Sequence, residues 1–323
     1  MLSVRPPMLR YLLLTVPSAA SVQPSRRNVT CSSDTHGHEP RTRVSLPMSA
    51  DGLRVGVYVD AENLSRNGGD RMQYRVLRNI ACREGGQAIR LNTYIAFDER
   101  RAKDDTPYRS SMLDYYSAVR DAGFKIIEKK VQHYVDRNGG ERTKANADLD
   151  MAVDCLLQSE HLDRVVLGTG DGDFAQVVRA LQNRGCRVEI IAFDNVSSNL
   201  RREADHFLSG YLVPGLIASP GKPWGQVGSR VRGVCYYYPP EGKEVGFFRY
   251  LETAEGNLWL RDERDENSPY SVAAFHVNNL PSGFDDTVLP SREIVFEFEL
   301  EPAEGYDRPR AKDISVACRY PAV

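Results

Sequence analysis

The chain has 323 residues, 41% hydrophobic and 27% charged, which is an ordinary folded-protein composition with length enough for two domains. Lys and Arg number 42 against 44 Asp and Glu, so the net charge of −2 excludes bulk attraction to a polyanion, and any nucleic-acid contact has to use a local patch. No stretch approaches the ~20 apolar residues of a membrane span, and the six cysteines contain no CxxC pair that would point to a zinc ribbon.

In chain order, residues 1–47 come first as an extension. "MLRYLLLTVPSAAS" carries arginines, a short apolar run and small residues. Its run of about six hydrophobic residues is shorter than the usual ~7–15 of an export signal. The polar, Ser-, Pro- and Arg-rich stretch that follows reads as disorder. A start at Met48 is the expectation, because "MSADGLRVGVYVD" runs straight into a strand. Cys155 and Cys186 sit in apolar patterns as small core residues, which suits a reducing, cytoplasmic setting.

From Arg54 onward strands and helices alternate. "RVGVYVD" is a continuous apolar run ending in Asp60, as for a strand buried on both faces. "RMQYRVLRNIACREGG" has helical spacing, "IRLNTYIAF" is a strand, "YRSSMLDYYSAVRDAGF" is an amphipathic helix, and "KIIEKKVQHYV" is extended. "NADLDMAVDCLLQSE" is a helix, "RVVLGTG" a strand, "FAQVVRALQNRG" a helix, "RVEIIAF" a strand, and "NLRREADHFLSGYL" reads as a last helix. This alternation predicts parallel βα units. Residues 218–229, "ASPGKPWGQVGS", read as a linker. Beyond them five short strands, "RVRGVCYYYPP", "VGFFRYLE", "NLWLRDE", "YSVAAFHV" and "REIVFEFELEP", predict a small barrel or sandwich.

The chemistry-bearing residues are acids. In an open parallel sheet, ligands sit at the carboxyl ends of strands. Asp60 ends the first strand and Asp171 a later one, so the two can face one crevice despite their separation in sequence. Asp173 follows in the same loop, and Asn63 adds an oxygen donor three residues after Asp60. "KANADLDMAVD" supplies Lys144, Asp148, Asp150 and Asp154 around a helix start. Crowded carboxylates raise one another's pKa, and a divalent cation relieves that cost. Mg²⁺ or Mn²⁺ suits an all-oxygen shell and can activate water against a phosphodiester. Taken singly, each acid has a plain structural reading: Asp173 as a helix N-cap, Asp60 as a strand-end turn residue, Asp154 as a helix-surface acid.

"VYVDAENL", "KANADLDMAVD" and "LGTGDGDFAQVVRALQNRGCRVEIIAF" resemble the signature blocks of the NYN-domain family, in its LabA-like branch, within the PIN-like nuclease superfamily. The resemblance covers about residues 53–217. It implies a Rossmann-like sheet with a metal-dependent ribonuclease site. Asp60, Asp148, Asp171 and Asp173 then fall on the acidic metal-binding positions. Asn63 falls on the DxxN asparagine and Lys144 on the lysine that leads the second block, and as a point charge Lys144 can bind a phosphate. The glycine that usually follows that lysine is replaced here by Ala145-Asn146. Arg100, Arg101, Lys103, Arg109, Lys129, Lys130, Arg201 and Arg202 offer supporting charge, each with solvated surface charge as the plain alternative.

The C-terminal strands, about residues 229–318, resemble a diverged cold-shock domain, an OB-type barrel whose aromatics stack on bases of single strands. Tyr236, Phe247 and His276 fall on such positions. Val245 and Ala274 stand where aromatics are usual, while Tyr237, Tyr238 and Phe248 are either substitutes or core.

The expected molecule is thus an α/β protein. It has a Rossmann-like PIN-type parallel sheet with helices on both faces (48–217), a linker (218–229) and a five-stranded cold-shock-like OB barrel (230–318). Its expected activity is hydrolysis of RNA with Mg²⁺ or Mn²⁺, with single-stranded RNA on the barrel, a homodimer as a second association, and no membrane contact. Two other classes use the same residues: a non-catalytic RNA- or protein-binding module, and a hydrolase of small phosphoesters.

Overall fold

The structure is a computed structural model that describes residues 52–134, 147–218, 221–303 and 308–322 in full, and residues 135 and 141–144 by their backbone. These residues lie within one compact unit, Met48–Val323. The N-terminal extension, the start at Met48 and the side chain of Lys144 fall outside the described residues.

β1 (Arg54–Asp60) is buried along its whole length after the first residue, as a central parallel strand requires. It runs into a single helical turn, α1 (Ala61–Leu64), and then α2 (Tyr74–Ala81), β2 (Gln87–Phe97), α3 (Glu99–Asp104), α4 (Thr106–Asp121) and β3 (Lys125–Lys130). The segment read as one extended stretch divides at Val131, where β3 gives way to β4 (Gln132–Val135), which pairs with β5 (Glu141–Lys144) as a separate antiparallel ribbon. α5 (Ala147–Gln158), β6 (Arg164–Gly168), α6 (Ala175–Gln182), β7 (Arg187–Ala192), α7 (Ser198–Glu203) and β8 (His206–Ser209) complete this half.

The six-stranded sheet has the order β3-β2-β1-β6-β7-β8, with every neighbouring pair parallel. The order reverses between β1 and β6. The chain steps outward from β1 through β2 to β3, then returns to β6 and proceeds the other way. Loops leaving the carboxyl ends of β1 and β6 therefore diverge and open a crevice between them.

One expected helix is corrected. α7 stops at Glu203, and "HFLS" becomes the edge strand β8. The reason is a tether: the Asp205 carboxylate accepts the Val188 N–H of β7 at 2.7 Å and sets the following residues in register with that strand.

The second half is a closed barrel of β9 (Arg230–Tyr237), β10 (Val245–Leu251), β11 (Tyr270–His276), β12 (Ser291–Glu301) and β13 (Arg310–Arg319). Around it the order is β10-β11-β13-β12-β9, and β11 with β13 is its parallel pair. Phe248 stacks on Phe275 and Phe298, at centroid distances of 4.2 and 4.8 Å, at its centre. The expected strand "NLWLRDE" is a run of turns instead, with Leu258 fully buried and the Asn257 carboxamide accepting the Trp259 N–H at 2.9 Å. The fifth strand is β13, "RAKDISVACR". Its inward residues Ala311, Ile314 and Cys318 are three and four apart because its register against β12 shifts twice, so no period of two shows in the sequence.

The barrel lies against the sheet at the β8 edge, a row of backbone groups that otherwise stays unpaired. The Tyr320 hydroxyl bonds Ser209 Oγ at 2.7 Å, and the Tyr320 ring packs edge-on against Phe207 at 5.2 Å. Arg201 pairs with Glu293 and donates to the Pro321 carbonyl at 2.7 Å. Leu251, Leu258, Val295 and Cys318 of the C-terminal half join the sheet's own core. Cys155 and Cys186 are buried free thiols, and among the described residues no helix is long and apolar enough to cross a membrane.

Candidate active site

Asp60 sits at the end of β1, where the strand order reverses, with only 6% of its surface exposed. Its carboxylate accepts the Asn63 N–H at 3.0 Å and so caps α1. Burial pushes its pKa up to about 6, and the charges of Asp148, Glu62 and Asp171 add to the rise against the opposing Asn63 hydrogen bond. Asp148, in the first turn of α5, is raised as well, by desolvation first and then by Asp171, Glu62 and Asp173. A hydrogen bond with Asp60 pulls it the other way. Acids from the ends of β1 and β6 and from the start of α5 therefore share one electrostatic environment.

The loop after β6 is held by short bonds. Thr169, fully buried, accepts the Asp171 N–H at 3.2 Å, and Asp171 Oδ1 accepts the Asp173 N–H at 3.0 Å. This corrects the reading of Asp173 as the helix cap. Asp171 caps a 3-10 turn, Gly172–Phe174, inserted ahead of α6, and the cap moves back two residues. A side chain at Gly172 would place its Cβ 2.7 Å from Ser197 Oγ, so the close approach of the two loops needs glycine there.

Asn63 binds this loop to the first one. Its Oδ1 accepts the Gly170 N–H at 2.9 Å, across 107 residues of sequence. That acceptor is committed to positioning the Asp171 loop.

The remaining acids of α5 have other partners. Asp150 pairs with Lys129 at 2.8 Å, and Asp154 accepts the Tyr94 hydroxyl at 2.8 Å. By contrast no described side chain forms an ion pair with Asp60, Asp148, Asp171 or Asp173. Glu62, which the motif reading passed over, raises both Asp60 and Asp148 and is itself paired with Arg66. Its signal was the register of a one-turn helix capped by Asp60, which puts its first turn at the same rim.

Of the candidate basic residues, Lys130 pairs with Glu99 at 2.6 Å and Arg101 with Asp105 at 3.2 Å, while Arg201 serves the barrel contact. Arg100, Lys103, Arg109 and Arg202 form no ion pair with any described residue.

The donor set at the rim is all oxygen and anionic, the chemistry of Mg²⁺ or Mn²⁺. Among the described residues no three acids, imidazoles or thiols are drawn close enough to hold an ion directly. An Mg²⁺ ion, which keeps several of its waters, fits such a rim through one or two carboxylates and water-bridged contacts to the others.

On the barrel, Tyr236, Tyr237 and Phe247 lie together on the outer face, with Phe247 6.4 Å from Tyr236 and 5.8 Å from Tyr237. The Arg249 guanidinium stacks over Tyr236 at 4.2 Å. Val245 pairs with His276 and Phe247 with Ala274 across β10 and β11. His276 is engaged at both nitrogens, with Glu244 at 2.9 Å and the Asn278 N–H at 3.2 Å. Of the proposed substitutes, Phe248 is core, Tyr238 donates to Asp286, and Tyr237 is exposed on the face.

Residues 54–214 match the NYN domain family. The chain is 22% identical over 177 residues to the low amplitude and bright protein LabA of Synechococcus elongatus, covering 53% of this chain and 90% of that protein. It is also similar to a crystal structure of a protein of unknown function from Vibrio parahaemolyticus, at 21% identity and a TM-score of 0.41, over 50% of this chain and 96% of the other.

Proposed function

Taking residues 54–214 as an NYN domain, a family of PIN-like nucleases, we propose that the protein is a divalent-metal-dependent ribonuclease whose barrel holds single-stranded RNA. The observation that carries this reading is the convergence of Asp60, Asp148 and Asp171 at the reversal of strand order, where burial first and the neighbouring acids second raise Asp60 and Asp148, and no described side chain forms an ion pair with them. Structural acids are paired, as Asp150 and Asp154 are. Acids kept unpaired at a cost are kept for a ligand.

Asp60, Asp148, Asp171 and Asp173 would hold Mg²⁺ or Mn²⁺. When bound, such an ion polarises the phosphodiester and lowers the pKa of an attacking water. The chain supplies the geometry. Asp60 and Asp171 are fixed by their capping bonds, and Asn63 locks the second loop to the first. Lys144, whose side chain is outside the described residues, is proposed to contact phosphate. Water attacks phosphorus, the P–O bond to the leaving ribose oxygen breaks, and no covalent intermediate with the protein is needed.

The test is cleavage of a labelled RNA across a Mn²⁺ titration, for wild type and Asp171→Asn. Asparagine at 171 keeps an acceptor for the Asp173 N–H, so the loop survives while the charge is lost. Metal-dependent cleavage that disappears in the variant is the expected result. RNA binding without cleavage by wild type would instead indicate a non-catalytic binding module. Activity confined to a small phosphomonoester would indicate the third class.

The barrel reading rests on its strand order, which is that of an OB barrel, and on the Tyr236–Phe247–Tyr237 face. Glu263 offers a test in the direction of gain. It takes up Arg249 at 3.5 Å, Arg308 at 3.6 Å and the Tyr236 hydroxyl at 3.3 Å. Glu263→Gln should free both guanidiniums for phosphate, tighten oligonucleotide binding several-fold and steepen its salt dependence by one to two counterions. Unchanged affinity and slope would separate this face from RNA.

A further inference from the structure

The outer face of the barrel does not end at its aromatics. Arg249 is stacked on Tyr236, and the charges of Arg261 and Arg249 both act on the half-buried Tyr270, whose hydroxyl donates to the Leu258 carbonyl at 3.0 Å beside Trp259. Arg261 in turn lies 5.9 Å from the centroid of Trp259. Trp259 also meets the Arg187 guanidinium at 4.8 Å and the His206 ring at 4.8 Å. Trp259 and Arg187 lie where β7 begins, at the opposite end of the sheet from the acidic rim.

There Trp259 and Arg187 line a cavity of about 470 Å³ together with Gln182, Gly185, Cys186 and Asp205. Two features set it apart from an ordinary surface hollow. Trp259 is 45% exposed, although indoles are generally buried. Arg187 contributes a side chain one-third exposed, while its Nη2 is itself buried and has no hydrogen-bond partner among the described residues.

The charge at this end favours an anion. Arg83, Arg164, Arg187 and Arg261 stand against Glu84, Glu189 and Asp205. Asp205 is occupied with the Val188 N–H, and Glu189 with Arg83 and Arg187. His206 is lowered to about 4, by burial first and then by Arg83, Arg187 and Arg261 against Glu189, so it is neutral at physiological pH and adds a flat ring without a charge.

We propose that this cavity takes one nucleotide of the single strand held on the barrel, with a base against Trp259 and its phosphate at Arg187. The proposal rests on the RNA-binding reading of the barrel and extends it to a site beyond the barrel's own strands. It gives the strand a defined path, from Tyr237 across Phe247, Tyr236 and Arg249 to the cavity.

The experiment uses the full chain carrying Asp171→Asn, in EDTA, with a fluorescein-labelled 12-nucleotide oligouridylate followed by anisotropy. Trp259→Ala and Arg187→Gln should each weaken binding about 5- to 100-fold, the range for loss of one stacked base. Arg187→Gln should also lower the salt slope by about one. In a Trp224→Phe background, Trp259 emission should change as the oligonucleotide saturates. Should Arg187→Gln fail to fold, Arg187→Lys, which keeps the charge but loses the planar fork, is expected to weaken binding by an intermediate factor. Wild-type affinity in the cavity variants with silent Trp259 emission, alongside weakened binding by Phe247→Ala, overturns the cavity and leaves the barrel reading standing. No binding by the otherwise unaltered Asp171→Asn chain removes both.

Discussion

Asp60→Asn is expected to reduce RNA cleavage by about 10²- to 10⁴-fold and at the same time to make the protein harder to unfold. The two effects have one cause. A carboxyl whose pKa rises from 3.8 in the unfolded chain to about 6 in the fold binds more protons when native, so stability falls as pH rises between those values and stays lower above them. By pH 7 the native state carries a cost on the order of 3 kcal/mol from this residue. Asparagine is neutral, can still accept the Asn63 N–H that caps α1, and can donate to Asp148. Thermal denaturation at pH 7.5 without metal should therefore show a higher Tm for the variant by several degrees, and the gap should close as pH falls to 4. Added Mg²⁺ reverses the order. It stabilises wild type by about 2.7 kcal/mol at 100 times its Kd, and leaves Asp60→Asn nearly unmoved. Because the ion and the proton compete for the same carboxyl, cleavage by wild type should rise with pH through about 6, and at lower pH with more metal. A variant that loses activity and also loses stability would mean that Asp60 is a structural acid.

The rim was legible in the sequence because its signals are local. A buried strand that ends on an acid, or a helix that begins with one, needs no knowledge of the rest of the chain, and the parallel alternation supplies the common edge. What was not legible depends on partners far away. Asn63 falls on the DxxN asparagine, where it is expected to orient metal or water, and its Oδ1 accepts the Gly170 N–H, a contact that no spacing announces. β8 is only four residues long and follows a helix-forming stretch, so propensity carries the helix onward, whereas Asp205 ties the chain to β7. β13 has another problem. Two register shifts against β12 break its period of two, and "NLWLRDE", with three apolar residues together, looks more like the missing strand. Tyr236 and Phe247 stand on β9 and β10, and the nearness of Trp259 to Arg187 depends on how the barrel lies against β7, which no local pattern carries.

The largest effect on stability is expected far from the rim, at Glu189. This residue of β7 is 2% exposed and accepts two hydrogen bonds from Arg83, at 2.9 and 2.8 Å. Arg187 Nε lies 3.0 Å away and Arg164 Nε 3.5 Å. Burial alone would raise its pKa, but the Arg83 hydrogen bond and the charges of Arg83, Arg164 and Arg187 outweigh it and hold the carboxyl below its usual value. One carboxylate thus serves three guanidiniums, with Glu84 sharing Arg164 at 2.8 Å. Replacing the whole group with apolar residues of similar volume costs little. Removing the single anion leaves Arg83 and Arg164, each with 2% of the side chain exposed, charged and buried without it. Glu189→Ala should therefore lose about 3–5 kcal/mol, on the order of 10 °C in Tm. Glu189→Gln, which keeps an acceptor oxygen, should lose less. Because the carboxyl is depressed, its contribution is present above the unfolded pKa near 4.5 and is lost as pH falls below it, so wild type and Glu189→Ala should converge in acid. Arg179→Ala, which breaks the more exposed pair with Glu203 at 2.7 Å, is the comparison and should unfold close to wild type. A Glu189→Ala protein as stable as that comparison would mean that water already solvates the arginines, and the charge assigned to the Trp259 cavity would then have to be reconsidered with it.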